Sequence, residues 1–221
     1  MRDGLQGAII YDKTLIVNQL GLLSRALDAE RQVVAAVRPG DLDRPTPCAG
    51  WALRDLLAHL VGQNHGFAAA VRHGDADAGA FAPRPPSADA DTDALLADWQ
   101  ASVDALVDAF AVAPPERAVR LVELSADRRF PQDVVAGFQL LDTVVHTWDL
   151  ARTLGRDHRP DADLLAAVGR VAEQVPDGEA RRRPGAAFAP AVTTSDRPGG
   201  APAAAPGDPW VRVLALLGRA A

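Results

Sequence analysis

The sequence predicts an all-α protein organised as a four-helix bundle with short additional C-terminal helices, and three observations carry that reading. Apolar residues recur at i, i+3, i+4 and i+7 over four long stretches, the period of a helix that buries one face. Turn formers close those stretches: Pro39-Gly40, Gly74, Pro114-Pro115 and Gly155. One segment, VRLVEL at 119–124, alternates as a strand does, but it has no obvious partner.

The elements follow in order. Ile16, Leu20, Leu23, Leu27, Val34 and Val37 keep helical spacing up to Pro39-Gly40. The turn-rich loop DLDRPTPCAG leads to a second helix carrying Leu53, Leu56, Leu57, Leu60, Val61, Phe67 and Val71, which stops near Gly74. A long loop of Asp, Ala, Pro and Gly spans 75–91. Asp91 or Thr92 then caps a third helix with Leu95, Leu96, Trp99, Val103, Leu106, Val107 and Phe110. The fourth helix runs from about Gln132 to Leu154, with an apolar stripe of Val134, Phe138, Leu141, Val145 and Trp148. A fifth, with Leu164, Leu165, Val168, Val171 and Val175, begins after Pro160-Asp161. Residues 176–207 are mostly irregular, and Asp208-Pro209 reads as a cap and first-turn proline for a short last helix with Trp210, Val213, Leu214 and Leu217.

At 221 residues the chain suits one domain with a real core. A net charge of −6 argues against nucleic acid and anionic lipid as partners, since both call for a basic face. No apolar run reaches the roughly 18–20 residues of a membrane span, and MRDGLQGAIIYDK lacks the marks of a signal peptide, so the expected location is the cytoplasm. Cys48 is the only cysteine, which excludes internal disulfides and a zinc site built from cysteines. Lys13 is the only lysine and sits outside any Gly-rich loop, so Schiff-base and phosphate-loop chemistry are not expected.

On a wheel at about 100° per residue, His59 lies well off the Leu53/Leu57/Leu60 stripe. It shares a small, polar face with Ala52, Asp55, Gly62 and Gly66, which leaves room for a ligand or a cavity. On the fourth helix Asp142, His146 and Asp149 stand at i, i+4 and i+7, on one face. A carboxylate and an imidazole one turn apart can hold one ion, and a third histidine from another helix completes a set of three with positions open for water or substrate. The same spacing also suits a solvated surface pair, and spacing alone leaves both readings standing.

Other residues carry paired readings. Asp149 could orient a metal-bound imidazole or pair with Arg152. Cys48 is read as packing under Trp51, and Trp51 and Trp148 as core aromatics. Arg181-Arg182-Arg183 reads as a solvated run that could also attract an anion. His65, His73 and His158 read as surface.

The segment TPCAGWALRDLLAHLVGQN (46–64), followed by VVHTWDLARTLG (144–155), resembles the mycothiol-dependent maleylpyruvate isomerase N-terminal family, within the DinB-like superfamily of metal-binding four-helix bundles. FAPAV (188–192) and LLGR (216–219) are similar to the ending of short actinobacterial members. The resemblance implies metal ligands at His59, Asp142 and His146. The isomerase carries Glu at the carboxylate position, so Asp142, one methylene shorter, calls for a metal closer to its helix or a different rotamer. The isomerase also has a C-terminal domain that this chain does not match, so isomerase activity itself does not simply transfer.

Three parts are therefore expected: a lead-in at 1–13, a DinB-like metal-binding bundle at 14–175, and a Pro/Gly/Ala-rich extension with a short terminal helix at 176–221. The expected function is that of a divalent-metal-dependent transferase or isomerase. It would use mycothiol as a low-molecular-weight thiol co-substrate on a small electrophile. Zinc suits a soft sulfur and borderline imidazoles, and nickel, iron or manganese also suit such a site. Two alternatives stand beside it: a hydrolase or lyase that activates metal-bound water, and a non-catalytic metal-binding module. Any of the helices could offer a homodimer face.

Overall fold

In the computed structural model, which describes residues 13–125, 127–183, 188–192 and 207–220, helices dominate. They are α1 (Lys13–Val34), α2 (Leu53–His73), α3 (Thr92–Val112), α4 (Gln132–Thr153), α5 (Ala162–Ala172) and α6 (Pro209–Leu216). The first four form the bundle. α1 lies along α4 and α2 along α3, while α2–α4 and α1–α3 contacts close the ring. α5 covers α4, and α6 covers α5.

Local chemistry explains the boundaries. The Asp55 carboxylate accepts the Ala52 N–H at 2.9 Å at the start of α2, and Gly74 ends that helix at φ +81°, where a side chain would be strained. Asp91, not Thr92, caps α3 by accepting from the Ala94 N–H at 2.8 Å; the Thr92 hydroxyl donates instead to the Val37 carbonyl. Asp161 caps α5, and Asp208 caps α6 with Pro209 in the first turn.

The core runs through Leu23, Leu27 and Val34 on α1, Leu53, Leu56 and Leu60 on α2, Trp99 and Leu106 on α3, and Leu140, Val144 and Leu150 on α4. Each such aliphatic side chain contributes about 1.5–3 kcal/mol relative to leaving it in water.

Three expectations need correction. VRLVEL does find a partner: β1 (Val119–Arg120) pairs antiparallel with β2 (Arg129–Phe130), a short clasp across the turn before α4. The stripe assigned to α4 is buried at Leu141, Val145 and Trp148 and packs on the core at Phe138, but it fails at Val134, 37% exposed, and it understates a helix that is covered on nearly every side by α1, α2 and α5. Most of its polar residues are buried as well, and Thr147 and Thr153 satisfy their hydroxyls on the carbonyls of Thr143 and Asp149. The small face of α2 is not an open cavity at Gly62 and Gly66. The turn at Ala78–Phe81 and Ala82 lie on it: a Cβ at Gly62 would stand 2.5 Å from the Ala82 carbonyl oxygen, and one at Gly66 would overlap the Phe81 ring.

Candidate metal centre

His59 enters from α2, and Asp142 and His146 from α4; all three are buried. The 22-residue run of α4 places Asp142 and His146 one turn apart on the same side. Asp142 Oδ1 is 3.4 Å from His146 Nε2 and 3.7 Å from His59 Nε2. Ligands at about 2.0–2.1 Å around a tetrahedral ion stand roughly 3.3–3.4 Å apart, so this spacing fits one small cation.

The hydrogen bonding agrees. His59 Nε2, His146 Nε2 and Asp142 Oδ2 are buried and make no hydrogen bond. Buried polar atoms rarely stay unpartnered, and two bare imidazole nitrogens facing one carboxylate is an arrangement that could hold an ion. Among the described residues Cys48, His146 and Asp149 also converge. That second group does not suit a cation, because Arg219 already occupies it: its Nη2 lies 2.8 Å from Asp149 Oδ2 and 3.2 Å from Cys48 Sγ.

The electrostatics follow from burial and pairing. Burial works to lower the His146 pKa, but the Asp142 carboxylate, with support from Asp149 and Cys48, lifts it well above its ordinary value. Burial would raise Asp142; the two imidazoles hold it far below the usual carboxylate range. Asp149 is brought down to about 2, against burial, by His146 and Arg219.

Asp149 lies 2.9 Å from His146 Nδ1. A carboxylate only accepts, so Nδ1 carries the hydrogen and Nε2 turns toward His59 and Asp142. Of the two readings for Asp149, orientation of the imidazole is the one the geometry shows. Arg152 instead lies over the Trp148 ring, 5.7 Å from its centroid, and 4.0 Å from Asp157.

Aromatic rings wall the site. Trp51 packs on His59 at 4.9 Å between centroids, and Phe188 stacks on His146 at 5.9 Å and 14°. Trp51 is thus a wall of the site and not simply a core aromatic. Cys48 is buried, as its structural reading expects, and its thiol faces Asp149 at 3.2 Å and His146 Nδ1 at 3.8 Å. Arg181 is also no part of a solvated run. It is buried and donates to the carbonyls of Val175, Leu216 and Ala189. His65 and His158 are half-buried, and burial lowers both their pKa values; His73 is exposed.

A second polar cluster threads the bundle. Trp99 Nε1 donates to Glu30 at 2.8 Å, Ser102 donates to the Trp99 carbonyl, Asn64 to Ser102, and Gln139 to Asn64. Burial raises the Glu30 carboxyl to about 8. Nearer the converging histidines, Gln63, one turn after His59, donates to Glu123 at 3.1 Å. Sequence reasoning missed Glu30, Glu123, Phe188 and Arg219. Only the FAPAV and LLGR segments, which hold the last two, gave any signal.

These features define a class: a helical bundle with two histidines and a carboxylate converging, buried and unpartnered, between its second and fourth helices. The family model of the mycothiol maleylpyruvate isomerase N-terminal domain matches residues 23–151, and the chain belongs to that family. Two uncharacterized proteins of Mycobacterium tuberculosis, from strains CDC 1551 / Oshkosh and H37Rv, are each 32% identical over 166 residues, which is 75% of this chain and 82% of theirs. The crystal structure of the mycothiol-dependent maleylpyruvate isomerase shares the fold, with a TM-score of 0.52 at 16% identity over 71% of this chain and 67% of that one. A histidine-to-alanine mutant of that enzyme superposes equally, at a TM-score of 0.53 and 15% identity, with the same coverage. The fold is accordingly the DinB-like bundle. Among the described residues no helix is long and apolar enough to cross a membrane.

Proposed function

We propose that this chain is a divalent-metal-dependent enzyme that uses a low-molecular-weight thiol, mycothiol, to transfer or isomerise a small electrophilic substrate in the cytoplasm. One observation carries the reading: in a member of the mycothiol maleylpyruvate isomerase family, the buried side chains of His59, Asp142 and His146 converge, and both imidazole Nε2 atoms are left without a hydrogen bond. His59 and His146 would hold the metal through Nε2, and Asp142 would supply the negative charge that balances part of a dication. Three protein ligands leave a position for sulfur, and a bound metal lowers a thiol's pKa so that it reacts as the thiolate. Zinc is the ion that best suits two imidazoles and a sulfur, with nickel, iron and manganese compatible with the same donors.

The chain's own residues do the rest. Asp149 fixes the His146 ring through Nδ1, which keeps Nε2 directed at the site. Trp51 and Phe188 cover the imidazoles and restrict water. Glu123, held by Gln63 and within electrostatic reach of His59 and Asp142, can take up the proton a thiol gives away and pass it on to solvent; burial raises its carboxyl, which favours the first step.

The test is elemental analysis of the purified protein, followed by titration of the cobalt-substituted form with mycothiol. A sulfur-to-metal charge-transfer band in the near ultraviolet is expected, with release of up to about one proton per thiol below the free thiol's pKa of about 8.5. Mycothiol should bind more tightly than cysteine. An unchanged spectrum at millimolar thiol, with cobalt in place, would overturn the thiol reading and leave hydrolysis or elimination as the reaction class.

A further inference from the structure

The site has an outer layer supplied by the part of the chain that follows α5. Arg219 is 3% exposed and grips Asp149 with one edge of its guanidinium: Nη2 to Oδ2 at 2.8 Å and Nε to Oδ1 at 3.3 Å. It also reaches the Leu217 carbonyl at 2.7 Å and Cys48 Sγ at 3.2 Å. Asp149 in turn accepts from His146 Nδ1. Phe188 completes the arrangement, since its ring stacks on His146 and lies under the Arg219 guanidinium, 5.3 Å from centroid to cation.

The backbone is shaped to deliver these two side chains together. Gly218 takes φ +79°, and a Cβ there would stand 2.6 Å from the Ala189 Cβ. The Val192 N–H donates to the Ala215 carbonyl at 2.9 Å. Arg181 ties the same two stretches by donating to the Ala189 and Leu216 carbonyls. Burying a guanidinium is costly unless its charge and its donors are met. Here the charge is met by a carboxylate that also holds the imidazole of a metal ligand.

We propose that Arg219 is a positioning residue for the metal centre. It acts through Asp149 on the orientation of His146, so that docking of residues 188–192 and 207–220 on the bundle sets the affinity for the metal. This rests on the metal reading above. A contact through two donors, Nε and Nη2, fixes the plane of the Asp149 carboxylate, which fixes the direction of the Nδ1–H bond and hence the line along which Nε2 points. Without it Asp149 can rotate, and His146 Nε2 loses its aim at the point shared with His59 and Asp142.

The experiment is a competition titration of zinc against a chromophoric chelator. It compares the parent, Arg219→Gln, Arg219→Lys, Asp149→Asn and the Arg219→Gln/Asp149→Asn double variant, with helicity checked for each. Changes in such outer partners typically cost about 10–100-fold in metal affinity. A loss in that range is expected for Arg219→Gln and for Asp149→Asn, and a smaller one for Arg219→Lys, which keeps the charge but not the fork. The double variant should lose no more than Asp149→Asn alone, since one residue acts through the other. A residue that only stabilised the fold would give losses that multiply.

Gly218→Ala moves Arg219 without altering any charged group and should reproduce the loss, which covers the case in which Arg219→Gln fails to fold. Shifted ligand-field bands in the cobalt form of the variants would report a changed geometry directly. Parent-like affinity in Arg219→Gln or Gly218→Ala, or multiplicative losses in the double variant, would overturn the proposal and leave the metal reading intact. A parent that binds no zinc would instead overturn the metal reading itself.

Discussion

His146 Nδ1 and the Asp149 carboxylate lie 2.9 Å apart, one turn of α4 separating them, with neither side chain open to solvent. The contact divides the imidazole into two working ends. Nδ1 is committed to Asp149, and Nε2 is left facing Asp142 and His59 with no hydrogen-bond partner of its own.

From that division follows the expected response to ligand removal. His59→Ala and His146→Ala should each abolish tight metal binding, because two remaining ligands rarely hold a labile ion. Asp142→Asn should weaken binding while leaving helicity unchanged, since Asn and Asp have similar helix propensity. Asp142→Glu should be milder. Metal content by elemental analysis, beside circular dichroism, checks all four; parent-like content in either alanine variant would exclude the site as drawn.

The pH dependence has a definite sign. A metal in the proposed site would require the lone pair on His146 Nε2, while Asp142 favours a proton on that imidazole by raising its pKa well above the ordinary value. Protons therefore compete with the metal up to and beyond neutrality. Affinity should rise with pH across the neutral range, with proton release on binding measurable in a weakly buffered solution. Binding that is flat with pH between 6 and 8 would contradict the pairing.

Glu30 supplies a separate test in the metal-free protein. Its carboxyl ionises at the ordinary 4.5 when the chain is unfolded and at about 8 when folded, burial being the main cause. The groups facing it are Trp99 from α3 and, at longer range, Asp142 and His146 from α4. Between those two pKa values the folded chain holds one proton more than the unfolded chain, so this group makes stability fall as pH rises through the window. The slope is about 1.4 kcal/mol per pH unit at its steepest. Glu30→Gln keeps an acceptor for Trp99 and removes the slope. Chemical denaturation at pH 5 and pH 8 should show the variant gaining on the parent by a few kcal/mol at the higher pH.

A packing prediction concerns Gly62. Alanine favours a helix by about 1 kcal/mol over glycine, but its Cβ would stand 2.5 Å from the Ala82 carbonyl oxygen. That carbonyl belongs to backbone tethered by the Arg84 N–H to the Ala58 carbonyl at 2.9 Å, so it cannot easily retreat. Overpacking of this kind costs roughly 1–3 kcal/mol or more, and the clash should win. Gly62→Ala is expected to lower stability by about 1–2 kcal/mol. A stabilised variant in a thermal melt would contradict the packing described.

Much of this is legible in the sequence because the signals are local. Asp91, Asp161 and Asp208 announce helix starts through their own short side chains, and Asp142 and His146 share a face by the arithmetic of one helical turn. The rest depends on long-range contact. Arg219 meets Asp149 across 70 residues, and no periodicity marks a single arginine after a glycine as the anchor of a histidine. Gly62 and Gly66 suggest room for a ligand because sequence shows the absence of a side chain but not the turn that fills the space. The stripe on α4 holds except at Val134 but is incomplete for a related reason: a helix covered on nearly every side carries no single apolar face to read.

Trp51 gives the centre an optical reporter of its own. Its indole lies 4.9 Å from the His59 ring and 6.3 Å from that of His146, whereas Trp99 is engaged with Glu30 deeper in the bundle. A protonated imidazole quenches a nearby indole, so displacement of the His146 proton by zinc should brighten Trp51 emission, and a paramagnetic ion such as cobalt should dim it. Occupancy could then be followed in real time without any added dye, and Trp51→Phe should weaken the signal while the ion still binds.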